Sequence, residues 1–205
     1  KILTSGNGLI VAAMARAGRR LNEPKLVSSA TRAVDFIRSH LWDGKRLLAT
    51  TRLGKAHLNA YLDDYVFLAA GLLELLQARW RIQDLDFACR LLDTALENFR
   101  DSTGGAFYFT SNEHERLLHR TRPLMDEAIP SGNALAARVL LAFGHVTGNE
   151  DYVAAADQVL TELVPACGHY PAGACALLEA DDDRVNGLEL VVIRGHSEII
   201  EHWAA

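Results

Sequence analysis

A pair of helical segments, one nearly apolar and one amphipathic, repeats along the chain and limits its fold more than any other feature. Ser5–Leu9 is Ser-Gly-Asn-Gly-Leu and Ser131–Leu135 is Ser-Gly-Asn-Ala-Leu, and each opens a stretch of small and apolar residues. Each stretch ends near a polar turn, after which a more polar helical pattern begins. A third copy opens at Asp63-Asp64-Tyr65. Such self-similarity is typical of repeat architectures built from helix hairpins.

The two helices of each predicted hairpin differ in charge. The central turns of the opening helices carry one Lys, Arg, Asp or Glu residue each, namely Arg16, Glu74 and Arg138. The helices that follow, near 25–40 and 84–99, carry four and five such residues opposite an apolar face. A helix that is apolar nearly all round is packed on several sides, whereas an amphipathic helix exposes one side to water. We therefore predict an all-α, two-layer ring or solenoid of helix hairpins with an inner and an outer layer.

The repeat also predicts the domain organisation. Three full hairpins and a final helix are expected over residues 1–180, and a small C-terminal α/β segment is expected to begin over 181–205. The run Leu188–Ile193 favours a strand and Ser197–Ala205 favours a helix. A lone strand leaves its backbone groups unpaired, so we expect its sheet partners elsewhere in a longer chain. The Lys at position 1, which runs at once into a helical pattern, agrees with that expectation.

Composition excludes several classes of function. The 205 residues are 49% hydrophobic with a net charge of -5 and no basic stripe, so we expect no nucleic-acid partner. The longest apolar run, Leu9 to Ala15, is too short to cross a bilayer, so we expect no membrane contact. Three sparse cysteines favour a reducing, cytoplasmic location. No metal-binding, phosphate-loop or dinucleotide motif is present, so we predict neither a metal nor a cofactor.

The connections between the hairpins repeat as well. Residues 42–48 and 101–109 each contain a polar, glycine-containing turn followed by a short apolar or aromatic run. This pattern predicts an extended segment or small β-hairpin that leads into the next inner helix. Because each connection returns the chain in the same direction, the inner helices should run roughly parallel. Their N-termini should therefore share one face.

Polar and aromatic residues gather at these predicted helix starts. Helix N-termini offer free N–H groups and partial positive charge, which suit hydroxyl-rich or anionic ligands. Carboxylates beside aromatic rings suit a sugar, and paired carboxylates suit acid–base catalysis. We therefore predict a sugar or small polar ligand, with catalytic Asp63, Asp64 and Asp126 and ligand-binding Ser5, Asn7, Tyr61, Tyr65, Ser131 and Asn133.

A second interpretation of the same residues is structural. Ser, Asp and Asn are preferred N-caps, which would account for Ser5, Asp63 and Ser131 without any ligand. Adjacent acids in a first turn also complement the helix dipole. Asn7 and Asn133 fit this interpretation less well, because they lie two residues inside the helix starts. Under the structural interpretation the chain is a non-catalytic scaffold.

A third interpretation is an epimerase or isomerase, which needs a general base near a sugar carbonyl. Histidine is the usual base. His57, His114 and His119 lie in the connections, but no two form a clear pair. The charged neighbours of His114 and His119 favour a solvated turn, so this interpretation ranks below the other two.

Three motifs resemble a known family. The run Leu3–Leu9 resembles the Leu-Thr-Ser-Trp-Asn-Gly-Leu of YyaL-type proteins, which are also called spermatogenesis-associated protein 20-like, thioredoxin-domain-containing proteins. Leu62–Tyr65 is similar to the family's Leu-Asp-Asp-Tyr. Asp126 followed by Pro130–Asn133 is similar to its Asp-Gly-Ala-x-Pro-Ser-Gly-Asn. The three motifs occur in the family's order and span most of residues 2–195.

This resemblance implies more than the repeat alone. It implies an (α/α)6 toroid similar to six-hairpin glycosidases and N-acylglucosamine 2-epimerase, of which this chain forms the last part. It also implies a thioredoxin-like domain earlier in the full-length chain, as a partner of the toroid. A sugar-related role follows by fold analogy. Two residues depart from the motifs: Gly6 stands where the family has Trp, and Glu127 stands where it has Gly.

Overall fold

The computed structural model describes residues 1–115, 117–191 and 193, and within them the chain is mainly helical. Seven α-helices follow one another in the described part of the chain. They are α1 (Thr4–Arg20), α2 (Pro24–His40), α3 (Leu62–Ala78), α4 (Ile82–Phe99), α5 (Gly132–Thr147), α6 (Glu150–Ala166) and α7 (Cys175–Asn186), with a short 3-10 turn at Pro171–Gly173 before α7.

The helices pack as the three predicted hairpins and a final helix. Helix α1 packs against α2, α3 against α4, and α5 against α6. Helices α1, α3, α5 and α7 also pack side by side in that order, which makes them the inner layer. No helix among the described residues is long and apolar enough to cross a membrane.

Burial separates the two layers as their charges predicted. Outer helix α2 buries only Ala30, Val34 and Ile37, a spacing of three and four residues that marks one face. Inner helix α3 instead buries residues all round, including a continuous run from Asp64 to Ala69. The all-α hairpin fold predicted from the repeat is therefore confirmed.

Glycine lets the first two inner helices approach closely. A Cβ at Gly8 of α1 would lie 2.6 Å from the backbone of Phe67 and Leu68 in α3. A Cβ at Gly71 would lie 2.7 Å from the Gly8 carbonyl oxygen. Both positions exclude a larger side chain, so α1 and α3 meet backbone to backbone.

The repeat is visible in atomic detail at two hairpin turns. In the first hairpin the Glu23 amide donates to the Gly18 carbonyl at 2.8 Å, and a Cβ at Gly18 would meet Val27. In the third hairpin the Asn149 amide donates to the Gly144 carbonyl at 2.9 Å. A Cβ at Gly144 would meet Val153 in the same way. The glycines allow each outer helix to turn back directly onto its inner helix.

A small antiparallel sheet confirms the first extended connection. Strand β1 (Ile2–Leu3) pairs with β2 (Leu48–Arg52), which pairs with β3 (Lys55–Asn59). The register places Leu3 opposite Thr50 and Thr50 opposite His57. Leu53 and Gly54 form the two-residue turn with φ of 50° and 76°, as this type of hairpin requires. In the second connection the described residues contain no paired strands, and an isolated bridge joins Arg100 and Phe107.

The C-terminal expectations fare differently. The boundary predicted at residue 180 falls inside α7 (Cys175–Asn186). Residues 188–191 do not form the predicted strand, and no strand among the described residues pairs with them. Val192 and the helix predicted over Ser197–Ala205 lie outside the described residues.

The prediction that the charged residues of α4 face solvent is wrong for Asp84. Its side chain is fully buried, and its carboxylate lies 2.8 Å from Arg38, 2.6 Å from Arg79 and 2.9 Å from Arg81. A buried carboxylate needs such partners, because desolvation of an unpaired charge is costly. Arg38 and Arg81 also pair with Asp35 of α2. The charges that predicted a solvated face therefore join the first hairpin to the second.

Candidate functional site

Three aspartates occupy successive interfaces between the starts of the inner helices. Asp64 lies between α1 and α3, Asp63 between α3 and α5, and Asp126 between α5 and α7. These helices pack side by side and are linked at their starts, so they run in the same direction. Their starts therefore lie at one face. The structure thus brings the three predicted carboxylates to a common face.

Asp64 ties α1 to α3. Its Oδ1 accepts the backbone N–H of Ser5 at 2.8 Å, and its Oδ2 accepts that of Tyr61 at 2.9 Å. Asp64 is 4% exposed, and burial raises its pKa to about 6 although both hydrogen bonds act in the opposite direction. Both carboxylate oxygens are therefore engaged by the protein.

Asp63 is the carboxylate of the three with an oxygen that accepts no hydrogen bond from the described residues. It is the second residue of α3, after the N-cap Tyr61 and Leu62, so the interpretation of Asp63 as an N-cap is wrong. Its Oδ1 is buried and has no hydrogen-bond partner among the described residues. Burial, and then the charge of Asp64, raise the pKa of Asp63 to about 6. A partly exposed carboxyl that titrates near neutral pH suits general acid–base chemistry.

Asp126 repeats the arrangement of Asp64 at the other end of the inner layer. Its Oδ1 accepts the N–H of Ser131 at 2.8 Å, and its Oδ2 accepts that of Ala176 at 2.9 Å. The Asp126 amide donates to the Gly173 carbonyl at 2.7 Å. Asp126 therefore holds the starts of α5 and α7 together, and its two oxygens are also engaged.

Ser131 and Asn133 anchor the long connection that precedes α5. Asn133 is fully buried, and its amide exchanges two hydrogen bonds with the backbone of Phe107, at 2.7 and 3.0 Å. Its Nδ2 also donates to the Pro123 carbonyl at 2.9 Å. Ser131 is the N-cap of α5, but its hydroxyl donates to Pro123 at 3.1 Å rather than to the helix. These side chains position the connection and the helix start.

Ser5 and Asn7 lie in the first turn of α1. The N-cap of α1 is Leu3, so the interpretation of Ser5 as a cap is wrong. The Asn7 amide donates to the Leu3 carbonyl at 2.6 Å. Both residues are partly exposed. A Cβ at the intervening Gly6 would meet nothing within 4 Å, so a larger side chain fits there.

The two predicted tyrosines are packed within the protein. Tyr65 is 3% exposed, and its hydroxyl accepts the N–H of Leu47 at 2.9 Å. Burial raises its pKa to about 12. The Tyr61 ring stacks on Phe109, with ring centroids 4.8 Å apart and planes at 14°. Tyr61 and Phe109 keep partial exposure.

His114 is a residue of this site that the sequence interpretation missed. Its ring centroid lies 5.1 Å from that of Tyr61, and its Nδ1 accepts the N–H of Ser111 at 3.1 Å. The residue is partly buried, so the prediction of a solvated turn is wrong for it. No local pattern could have shown this contact, because it joins a connection to a helix start 53 positions earlier.

The single charges of α1, α3 and α5 each form an ion pair with a neighbouring inner helix. Arg16 of α1 lies 2.5 Å from Glu74 of α3. Arg138 of α5 lies 3.0 Å from Glu179 and 3.2 Å from Asp183 of α7. Each charge that stood out in an apolar helix is therefore explained by a neighbouring inner helix.

Two cavities lie in the described part of the protein, and neither is formed mainly by the predicted site residues. The larger has a volume of about 730 Å³ and is lined by residues 101–105, Arg122 and the Asp157–Glu162 side of α6. The smaller, about 10 Å³, includes Tyr65 in its lining. The other predicted site residues line neither cavity. No three His, Cys, Asp or Glu side chains in the described part of the chain are placed to hold a metal ion.

The sequence is homologous to spermatogenesis-associated protein 20, which confirms the resemblance of the three motifs. It is 31% identical over 206 residues to the protein of Homo sapiens and, likewise, to that of Rattus norvegicus. Each alignment covers 95% of this chain and 26% of the relative, so the chain spans about a quarter of the length of these curated relatives. No family model matches the chain.

Solved structures with the same fold act on sugars. A GH76 α-mannanase of Bacteroides thetaiotaomicron matches 91% of this chain and 55% of its own, with a TM-score of 0.67 and 14% identity. An α-1,6-mannanase of Salegentibacter, inactivated by Asp→Asn changes at two adjacent positions and bound to α-1,6-mannotriose, matches 78% of this chain and 46% of its own (TM-score 0.60, 13% identity). Cellobiose 2-epimerase of Bacillus thermoamylovorans matches 78% and 44% (TM-score 0.60, 12% identity). The chain thus has the fold of α/α toroids.

Proposed function

We propose that this chain forms part of a carbohydrate-active α/α toroid that binds a saccharide at the shared start of its inner helices, with Asp63 as the reactive carboxyl. The observation that carries the proposal is the state of Asp63. It is partly exposed, one of its oxygens is buried without a partner among the described residues, and its pKa is about 6. The other two predicted carboxylates are occupied by backbone N–H groups.

The pair Asp63–Asp64 supports the proposal through its division of roles. Asp64 keeps both oxygens on the starts of α1 and α3, so it fixes the backbone that carries Asp63. Its charge helps raise the pKa of Asp63, which favours a proton on that carboxyl. Asp63 then has a proton to give to a glycosidic or hydroxyl oxygen, and it can take one back after the reaction.

The solved toroids support the same assignment. The α-1,6-mannanase bound to α-1,6-mannotriose is inactive when two adjacent aspartates are changed to asparagine. This chain carries two adjacent aspartates at the start of an inner helix in the same fold. An α-linked mannose oligosaccharide is therefore the first saccharide to test.

The site around Asp63 also offers surfaces that suit a sugar. The stacked rings of Tyr61 and Phe109 lie at the start of α3, and both residues are partly exposed. Ser5 and Asn7 lie at the neighbouring start of α1 and are partly exposed. Aromatic surface and hydroxyl or amide groups together are the usual lining of a saccharide site. In this proposal Ser131, Asn133, Tyr65 and Asp126 position the site without contacting the ligand.

Binding of α-1,6-mannotriose to the full-length protein tests the proposal. We expect saturable binding by titration calorimetry and cleavage of the trisaccharide, with cleavage at least about a hundredfold slower in Asp63→Asn although that variant still binds. The matched control is Asp86→Asn, because Asp86 is an exposed aspartate of outer helix α4. Equal cleavage rates of wild type and Asp63→Asn would refute the role of Asp63. No binding of α-1,6-mannotriose or other mannose, glucose and cellobiose oligosaccharides would refute the proposed function.

A second candidate function is a non-catalytic scaffold. The observation that favours it is the complete use of the Asp64 and Asp126 oxygens by backbone N–H groups, which makes both residues structural links. In a scaffold the helical layer would hold a partner, such as the thioredoxin-like domain expected from the motifs. Saccharide cleavage that is lost in Asp63→Asn but kept in Asp86→Asn would exclude a purely structural role.

The proposed cellular setting is the cytoplasm. Cys89, Cys167 and Cys175 are all unpaired in the structure, in agreement with a reducing compartment. Fractionation of cells that express the full-length protein tests this setting. Recovery of the protein in a secreted fraction would contradict it.

A further inference from the structure

Part of the connection before α5 forms a closed arch next to the start of α3. The Phe109 amide donates to the Thr121 carbonyl at 2.8 Å, so the described residues between them, 110–115 and 117–120, belong to an arch. A bond from the Arg120 guanidinium to the Thr110 carbonyl also joins its two ends. The Asn112 amide donates to the Asn98 carbonyl at the end of α4, at 2.8 Å. The arch is therefore fixed at its base, and it exposes the side chains of Leu117 and Leu118.

One histidine fixes the base of the arch. The His114 Nδ1 accepts the backbone N–H of Ser111 at 3.1 Å and lies 2.7 Å from the Ser111 hydroxyl oxygen. A backbone N–H only donates, so Nδ1 must be unprotonated in this arrangement. His114 is therefore neutral and carries its proton on Nε2. Protonation of Nδ1 would remove the acceptor that Ser111 uses.

The same histidine reaches the proposed ligand site through Tyr61. The His114 ring lies 5.1 Å from the Tyr61 ring, and Tyr61 stacks on Phe109 at the base of the arch. Tyr61 is the N-cap of α3, and its N–H is bound by Asp64, next to Asp63. The Phe109 carbonyl accepts the N–H of Leu62 at 3.0 Å. The arch thus contacts Tyr61 and Leu62, which directly precede Asp63 in the chain.

Several charged and polar groups act on His114. Burial, the largest influence, lowers its pKa, and Arg120 of the arch lowers it further. The Asn59 carbonyl at the end of β3 and Glu115 of the arch act in the opposite direction. Glu113 is turned towards Lys45 and Arg46, at 3.9 and 3.7 Å. On the α3 side the nearest acids along the chain are Asp63 and Asp64, two and three residues after Tyr61.

We propose that neutral His114 is a positioning residue that docks the arch against Tyr61, and that its protonation releases the arch and opens one side of the Asp63 site. The docking itself does not require a ligand, and only its effect on saccharide binding rests on the proposed function. Because the docked state lowers the pKa of His114, docking is fully stabilised above the ordinary pKa of histidine, near 6.5. The stabilisation is lost as the pH falls through that value towards the lowered pKa.

Hydrogen exchange of the full-length protein at pH 7.5 and pH 5.5, expressed as protection factors, tests this proposal. In wild type we expect protection of the Phe109, Ser111 and Asn112 amides to fall on acidification, by up to about tenfold for each pH unit. Asp63 and Asp64 titrate in the same range, so a variant must separate their effect from that of His114. His114→Asn keeps an acceptor near the Nδ1 position and cannot be protonated.

The two variants that decide the matter are His114→Asn and His119→Asn. We expect His114→Asn to keep its protection at pH 5.5, whereas His119→Asn, a change of an exposed histidine in the same arch, should behave as wild type. Unchanged protection in wild type at pH 5.5, or the same loss in His114→Asn, would overturn the proposal. Release of the arch without any binding of α-1,6-mannotriose would refute the proposed function and leave this inference standing.

Discussion

The Asp63 carboxylate lies directly against the Cα of Gly132, where a Cβ would be only 2.2 Å from Oδ1. Asp63 is the second residue of α3 and Gly132 is the first of α5, so this contact is where the second and third hairpins meet at the proposed site. Glycine at position 132 leaves room for the carboxylate. The position of the carboxylate proposed to react is therefore set by a residue of the neighbouring repeat.

Gly132→Ala should displace the Asp63 carboxylate while changing stability little. The methyl group collides with the end of a side chain that can rotate, and alanine favours the helical backbone by up to about 1 kcal/mol. We expect the free energy of unfolding to stay within about 1 kcal/mol of wild type and the saccharide affinity to fall. Denaturant unfolding and calorimetry measure the two quantities. Unchanged affinity in a folded variant would show that the Asp63–Gly132 contact does not set the site.

Asp63→Asn should stabilise the protein at neutral pH. The pKa of Asp63 is raised from 3.8 to about 6 by folding, so its contribution to stability is full below pH 3.8 and is lost as the pH rises through about 6. Such a shift corresponds to at most about 3 kcal/mol, and partial exposure reduces it to about 1 kcal/mol. Denaturant unfolding at pH 4.5 and 7.5 should show a clearly larger gain at pH 7.5 than at pH 4.5. A gain of equal size at both values would contradict the raised pKa.

Asp64→Ala should destabilise the junction of α1 and α3. It leaves the N–H groups of Ser5 and Tyr61 without their acceptor, and each unsatisfied buried donor costs about 1–3 kcal/mol. We expect a loss of about 2–4 kcal/mol in the free energy of unfolding. Faster hydrogen exchange of the Ser5 and Tyr61 amides should accompany it. A loss below about 0.5 kcal/mol, the usual effect of a surface change, would refute the structural link.

Two glycines in the first half of α1 give a matched pair of substitutions. Gly8→Ala forces a methyl group to 2.6 Å from the α3 backbone, so we expect a loss of about 2–4 kcal/mol from overpacking. Gly6→Ala meets nothing within 4 Å and should be neutral or stabilising by up to about 1 kcal/mol. Thermal and denaturant unfolding of both variants provide the comparison. Equal effects would mean that α1 and α3 do not meet at Gly8.

The hairpin fold was predictable because its signal is local and repeated. Single charges marked the inner helices, and three copies of one helix start marked a common face. The contact partners were not predictable in the same way. Asp64 binds Tyr61, three residues away, and Ser5, which lies 59 residues away. Helical periodicity indicates the first kind of contact and carries no information about the second.

The wrong predictions have the same cause, because they concern residues whose contacts come from distant parts of the sequence. Asp84 has the sequence neighbours of a solvated helix start, and it is buried because Arg38 and Arg79 of other elements surround it. Ser5 and Asp63 have the residue types of N-caps, although each helix begins earlier than the composition suggests. The burial and the partners of side chains at helix starts depend on the neighbouring repeat as much as on their own helix. The candidate site was therefore predictable as a face. Which carboxylates bind backbone N–H groups and which one keeps an oxygen without a partner among the described residues was not predictable.

A crystal structure of the full-length protein with α-1,6-mannotriose tests the central claim most directly. The claim is that saccharide binds at the common start of the inner helices and contacts Asp63. We predict a sugar oxygen within hydrogen-bonding distance of the Asp63 carboxylate, with Asp64 still bound to the amides of Ser5 and Tyr61. A saccharide bound only in the groove between residues 101–105 and α6, with Asp63 untouched, would contradict the claim.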